Sequence, residues 1–226
     1  MTAGRTIAAR THGRYLVDVA PVMRPADEAA GHSRPFLIVG FHGYGENAAI
    51  QLDRLRGLRG PRSWTLVSVQ ALHRFYRRDG KTVVAGWMTR EDRELMIADN
   101  VAYVDAVIDE ITGQTSNPAS IVFAGFSQGA SMAYRAAALG RHGAAGVIAA
   151  GGDVPPELTG DALRHVQRAL IGWGVRDAFF THDVCQRDEQ RLRSAGADVS
   201  IVELDAGHEW TNAFNEAANA WISGRQ

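Results

Sequence analysis

The pentapeptide Gly125-Phe126-Ser127-Gln128-Gly129 constrains this chain more than any other stretch, because it joins an apolar run, Ile121 to Ala124, to a helix-forming run, Ala130 to Leu139. In that context G-x-S-x-G reads as a sharp strand-to-helix turn with a serine at its apex. The glycines are expected to let the backbone take a strained turn and to keep the approach to the serine Oγ open. A junction of this kind can also hold a serine for structural reasons alone, so the pentapeptide needs partners before it implies chemistry.

Three other segments supply them. Gly174-Val175-Arg176-Asp177 follows the apolar run Ala169 to Trp173, and Ala206-Gly207-His208 follows Val199 to Leu204. Upstream, the buried-strand-like run Phe36 to Phe41 ends in His42-Gly43-Tyr44-Gly45. The chain order is thus Ser, Asp, His. A serine hydroxyl becomes an effective nucleophile when a histidine takes its proton and a carboxylate fixes the imidazole tautomer. Ser127, His208 and Asp177 are therefore the candidate catalytic residues, with the backbone N–H groups of Tyr44 and Gln128 as candidate oxyanion donors. Asp153 and Asp205 also fall near strand ends and compete with Asp177 for the acid's role; Asp205 reads better as a solvated loop carboxylate. His42 is expected to brace the loop that follows it. His73, His142, His165 and His182 lack metal-ligand spacing and read as surface residues.

With these segments in view, the sequence resembles the α/β-hydrolase superfamily and, within it, the phospholipase/carboxylesterase family that includes acyl-protein thioesterases. The resemblance rests on residues 41–47, the pentapeptide, residues 174–177 and Gly207-His208-Glu209-Trp210, with weaker echoes at Trp87 and Gly151-Gly152-Asp153-Val154-Pro155. It departs from the family pattern at Glu46, where aspartate is frequent, at Met88-Thr89, where a Phe-Asp pair is usual, and at Ala178-Phe179-Phe180, where valine and proline are common. The resemblance implies an α/β-hydrolase fold, a serine hydrolase cleaving carboxylic esters through an acyl-enzyme, and no metal or organic cofactor. Acyl-thioesterase and lysophospholipase activities are the alternatives, since oxygen and sulfur esters share one acylation chemistry. By resemblance and by position, Trp87, Phe179 and Phe180 are candidate substrate-binding residues, the alternative being ordinary core aromatics.

The rest of the chain agrees with an α/β fold. A length of 226 residues suits one domain over 1–226. Apolar runs alternate with helical patterns: an edge strand at Tyr15 to Val19, a Pro/Ala/Gly-rich loop from Pro21 to Pro35, strands at Phe36 to Phe41 and Trp64 to Val69, and a helix from Asn47 to about Leu58. A long helix after Thr89 places Val101, Val104, Ile108 and Ile111 on one face, with Thr89 and Asp92 resembling a capping box. A helix is expected from the Pro155-Pro156 turn through Arg168, another ending at Gly196, and a terminal one capped by Thr211 with Phe214, Ala218 and Trp221 on one face. Such alternation implies a mostly parallel sheet covered on both sides.

Bulk properties narrow the partners. A formal net charge of -1 leaves no basic field of the kind nucleic-acid binding requires. The expected partner is a small-molecule ester or thioester, with no nucleic acid and no stable membrane insertion; the sequence leaves oligomeric state open, a homodimer included. The single cysteine, Cys185, excludes an internal disulfide and reads as packing, which with the absence of an apolar leader suggests a cytoplasmic protein. One basic, aromatic-interleaved stretch, His73 to Lys81, contains an Asp79-Gly80 hairpin signal. It reads as a solvated loop or as a contact for an anionic acyl substrate.

Two rivals come from other classes. Gly43-Tyr44-Gly45-Glu46-Asn47-Ala48 fits a G-x-G-x-x-A dinucleotide fingerprint, but that site needs an acid about 20 residues on, at the end of the second strand, which here reads Ser68-Val69-Gln70. The other rival is a non-catalytic ligand-binding module on the same fold, in which loss of a triad member is expected; none is lost here.

Overall fold

The computed structural model describes residues 4–19, 36–58, 64–114 and 120–224. The Pro21 to Pro35 loop expected from the sequence lies outside them. The elements are β1 (Arg14–Asp18), β2 (Phe36–Phe41), α1 (Ala48–Arg56), β3 (Trp64–Gln70), β4 (His73–Tyr76), β5 (Val83–Gly86), α2 (Arg93–Gln114), β6 (Ser120–Phe126), α3 (Gln128–Leu139), β7 (Gly146–Ala150), α4 (Gly160–Leu163), β8 (Arg168–Gly174), α5 (His182–Ser194), β9 (Asp198–Leu204) and α6 (Asn212–Ile222).

Seven strands form one sheet in the order β1-β3-β2-β6-β7-β8-β9, parallel throughout except for β1, which runs antiparallel along β3 at the edge. Burial on both faces explains why the central strands are apolar without alternation. Along β2, Leu37, Val39 and Phe41 join the core beneath α2, α3 and α5, whereas Ile38 points to the opposite core with Leu52 and Leu55 of α1 and Phe214, Ala218 and Trp221 of α6. Side chains of a strand alternate between faces, so one strand feeds both cores. The result is an α/β-hydrolase sheet with helices on both faces. No helix among the described residues is long and apolar enough to cross a membrane.

Local signals set most boundaries. Asn47 caps α1 by accepting the Ile50 N–H at 3.1 Å, and Thr211 caps α6 by accepting from Phe214 at 3.2 Å. The faces expected of α2 and α6 are the buried ones. Two expectations differ. The Thr89/Asp92 capping box does not form: Thr89 lies ahead of the helix and donates its hydroxyl to Glu91 O, while Asp92, at φ 48°, sits in the left-handed region just before Arg93. The helix expected to run through Arg168 is only the single turn α4, and Arg168 is the first residue of β8. Parallel pairing with β9 from Arg168 to Gly174 claims that segment, a tertiary gain that local helix preference cannot match.

Candidate active site

Four loops meet beyond the carboxyl ends of β2, β6, β8 and β9, where ligands of such sheets bind. The turn after β6 is the most constrained. Ser127 has φ 53° and ψ -122°, a conformation unusual for a residue with a Cβ. The strained position is thus the serine itself, not the flanking glycines. Gly125 and Gly129 serve a different need, close approach of backbones: a Cβ on Gly125 would lie 2.1 Å from the Gly129 carbonyl, and one on Gly129 would lie 2.1 Å from that of Phe41. Hydrogen bonds from Ser127 N to Ala150 O and from Ala130 N to Ser127 O, both 2.9 Å, hold the turn.

The structure brings Ser127, His208 and Asp177 together from three loops. Ser127 Oγ lies 2.9 Å from His208 Nε2, and His208 Nδ1 lies 2.8 Å from Asp177 Oδ2. The other carboxylate oxygen of Asp177 accepts the N–H groups of Phe179 at 2.8 Å and Phe180 at 3.0 Å. A buried carboxylate with its outer oxygen held by two amides can turn only one face to the imidazole. The imidazole is itself packed between rings, Phe126 at 5.0 Å and Phe179 at 5.1 Å. Neither competing acid meets His208: Asp205 is exposed and paired with Arg176, and Asp153, though it lines the cavity beside Ser127, lies within reach of the Ser131 hydroxyl at 3.0 Å.

Opposite the serine, the loop after β2 is fixed by a network. Ala71 N–H donates to His42 Nε2 at 3.1 Å, so Nδ1 carries the ring proton and donates to Gly43 O at 2.7 Å. Burial keeps this imidazole neutral by pushing its pKa below the ordinary value. Glu46 Oε2 accepts the Gly43 N–H at 2.8 Å, and both Glu46 oxygens accept from Arg54. Burial pulls the Glu46 carboxyl upward, but Arg54 and the Gly43 amide outweigh it and hold the pKa below the usual range. Gly45 and Glu46 pair with Ala85 of the β4–β5 hairpin. No protein partner for the N–H of Tyr44 or of Gln128 is found among the described residues, and Gln128 opens α3, where the helix dipole favours negative charge.

A family profile described as phospholipase/carboxylesterase matches residues 27–224. The chain belongs to that family. The solved structures it resembles include a carboxylesterase from Bacillus cereus, at TM-score 0.70 and 18% identity over 95% of each chain. A carboxylesterase from Mesorhizobium loti is similar at TM-score 0.68 and 20% identity, covering 86% of this chain and 91% of that one. Acyl-protein thioesterase 2 from Zea mays is similar at TM-score 0.66 and 17% identity, covering 95% and 99%. At these identities the likeness is one of fold. No curated protein sequence matches closely enough to count as a relative.

The remaining candidates divide. Within this phospholipase/carboxylesterase chain Trp87 does not line the cavity beside Ser127: it is fully buried, its indole N–H donates to His42 O at 2.8 Å, and its ring packs edge-on to Phe41. It is a core aromatic that supports the loop after β2. Phe179, 80% exposed, and Phe180, buried, both border the cavity. Cys185 is buried, and burial pushes its thiol up to about 12, consistent with packing. The stretch from His73 forms the β4–β5 hairpin, joined by a connection in which Asp79 accepts from Lys81 and Thr82 instead of a two-residue turn. Three contributors had no signal in sequence. Arg54 meets Glu46 across a helix start; the Gln128 side chain accepts from Trp87 N at 2.7 Å and donates to Met88 O at 3.0 Å; and Arg187 reaches the cavity from α5. Each matters through where the fold places it, so no spacing rule marks it.

Proposed function

We propose that this member of the phospholipase/carboxylesterase family is a serine carboxylesterase working through an acyl-enzyme. The observation that carries the reading is the 2.9 Å contact between Ser127 Oγ and His208 Nε2, with Nδ1 held at 2.8 Å by Asp177. Asp177 accepts a hydrogen bond from Nδ1–H and so keeps the proton on that nitrogen, which leaves Nε2 as an acceptor aimed at the serine hydroxyl. His208 takes that proton as Oγ attacks the ester carbonyl. The developing oxyanion accepts from the N–H groups of Tyr44 and Gln128 at the start of α3. His208 then returns the proton to the departing alcohol. Water attacks the acyl-serine by the same path in reverse, giving a carboxylic acid and free Ser127. Every proton moves between groups of this chain, substrate and water, so the reading calls for no cofactor.

The test is intact-mass analysis and peptide mapping after treatment with a fluorophosphonate probe, on wild type and Ser127→Ala, followed by matched oxygen-ester and thioester substrates. The expected result is one adduct, at Ser127, absent in the variant. Folded wild-type protein that takes up no probe and hydrolyses neither ester class would favour the ligand-binding module instead. Faster turnover of the thioester member of each pair would make the protein a thioesterase with the same machinery.

A further inference from the structure

The cavity beside Ser127, about 330 Å³ in volume, is lined by charged and polar groups as well as by apolar ones, unlike a purely alkyl pocket. Phe179, Phe180 and Val184 supply apolar wall, and Ser131, Asp153 and Arg187 also line it. The Ser131 hydroxyl, on a residue only 8% exposed, is within donating distance of both Asp153 Oδ1, at 3.0 Å, and Asp153 O, at 3.1 Å, and no partner for Oδ2 is found among the described residues. Arg187, its side chain 54% exposed, pairs with the buried Asp188: Nε lies 3.1 Å and Nη2 3.0 Å from Asp188 Oδ1, while no partner for Nη1 is found among the described residues. Asp188 is in turn anchored by the Val154 N–H at 2.7 Å. The cavity therefore presents a carboxylate acceptor and a guanidinium donor, each fixed by a second residue.

We propose that this cavity is a specificity pocket for the half of an ester that carries a neutral hydrogen-bonding group, a hydroxyl or a primary amide. The proposal rests on the serine-esterase reading. A plain alkyl chain in the cavity would strip water from Asp153 and Arg187 and return no hydrogen bond. A carboxylate would meet Arg187 but also face Asp153, and an ammonium would meet Asp153 but also face Arg187. A hydroxyl or amide both donates and accepts, so it satisfies both without adding an unpaired charge. Sites that hydrogen-bond a substrate group discriminate against the analogue lacking it, because their own polar groups are then left unpaired.

The experiment compares isosteric ester pairs on purified full-length protein: methyl 3-hydroxybutyrate against methyl 3-methylbutyrate, and 2-hydroxyethyl butyrate against propyl butyrate. One pair is expected to favour its hydroxyl member by about tenfold in kcat/KM, the scale of one hydrogen bond to a charged group. The pair that responds identifies whether the acyl or the alcohol half occupies the cavity. In Asp153→Leu the preference should fall to about threefold or below, Arg187 alone being left to pair with the hydroxyl. If that variant does not fold, Asp153→Asn carries the test and should reduce the preference to about threefold, since a neutral acceptor is roughly half as strong. Fluorophosphonate labelling separates the two levels of failure. Normal labelling with no hydroxyl preference in either pair, or a preference unchanged by Asp153→Leu and Asp153→Asn, overturns the pocket assignment alone. No labelling and no ester turnover in the wild type overturns the esterase reading, and the pocket with it.

Discussion

The Glu46 carboxylate accepts the N–H of Gly43 at 2.8 Å, while Glu46 N donates back to Gly43 O at 3.2 Å, so two reciprocal bonds close the turn that presents Tyr44. Arg54 completes the clamp. It pairs with both Glu46 oxygens and lies 4.4 Å over the Phe126 ring, which packs against His208. One ion pair thus touches both sides of the candidate site.

Glu46→Ala is expected to lower kcat about tenfold to hundredfold with little change in KM, because it frees the turn that aims the Tyr44 N–H and misplacement by about 1 Å costs on that order. It should also cost about 1–3 kcal/mol of stability by leaving Arg54 without its carboxylate. Glu46→Gln, which keeps an acceptor for Gly43, should fall between. Steady-state kinetics and urea unfolding check both, and an unchanged kcat in Glu46→Ala would remove the clamp from the mechanism.

Asp177→Asn tests the tautomer. The N–H groups of Phe179 and Phe180 demand an oxygen at Oδ1, so an asparagine there would turn its NH₂ toward His208 Nδ1. Nδ1 would then have to accept, Nε2 would carry the proton, and it could not take one from Ser127. A loss of about 10⁴ in kcat is expected, with folding intact. Retention of near wild-type turnover would show that another carboxylate serves, Asp153 or Asp205 being those to mutate next.

Ser127 sits at φ 53°, where glycine is at ease and alanine is not. Ser127→Gly and Ser127→Ala should both abolish probe uptake, yet differ in stability, the glycine variant being more stable by about 1 kcal/mol. Thermal unfolding of the two decides it. Equal melting temperatures would mean that the turn holds no strain there.

Stability should fall in acid through His42. Its pKa in the folded protein is pushed below the ordinary 6.5, so below pH 6.5 the unfolded chain binds a proton that the folded one refuses. Stability is fully present above that value and is lost as pH falls toward the folded-state pKa, at up to about 1.4 kcal/mol per pH unit. In His42→Gln this component should disappear. Urea midpoints of both proteins between pH 8 and pH 5 measure it, and parallel pH profiles would assign the acid sensitivity to other groups.

What was legible in the sequence was what short segments encode. Strands buried on both faces leave apolar runs such as Ile121 to Ala124, the cap Thr211 accepts from the residue three positions on, and α6 places Phe214, Ala218 and Trp221 on one face. The positions of Ser127, His208 and Asp177 were legible too, because each follows a strand and parallel strands end on the same edge of the sheet. Tertiary structure alone decided the rest. It made Arg168 a strand residue, placed the strain on Ser127 and not on its glycines, and turned Trp87 from a candidate cavity wall into a brace for His42. It also joined Glu46 to Arg54 and set Asp153 and Arg187 in one cavity. The physical reason is range: periodicity and capping act over three or four residues, whereas these contacts form only when loops from separate strands converge, and no local pattern records which side chain will meet which.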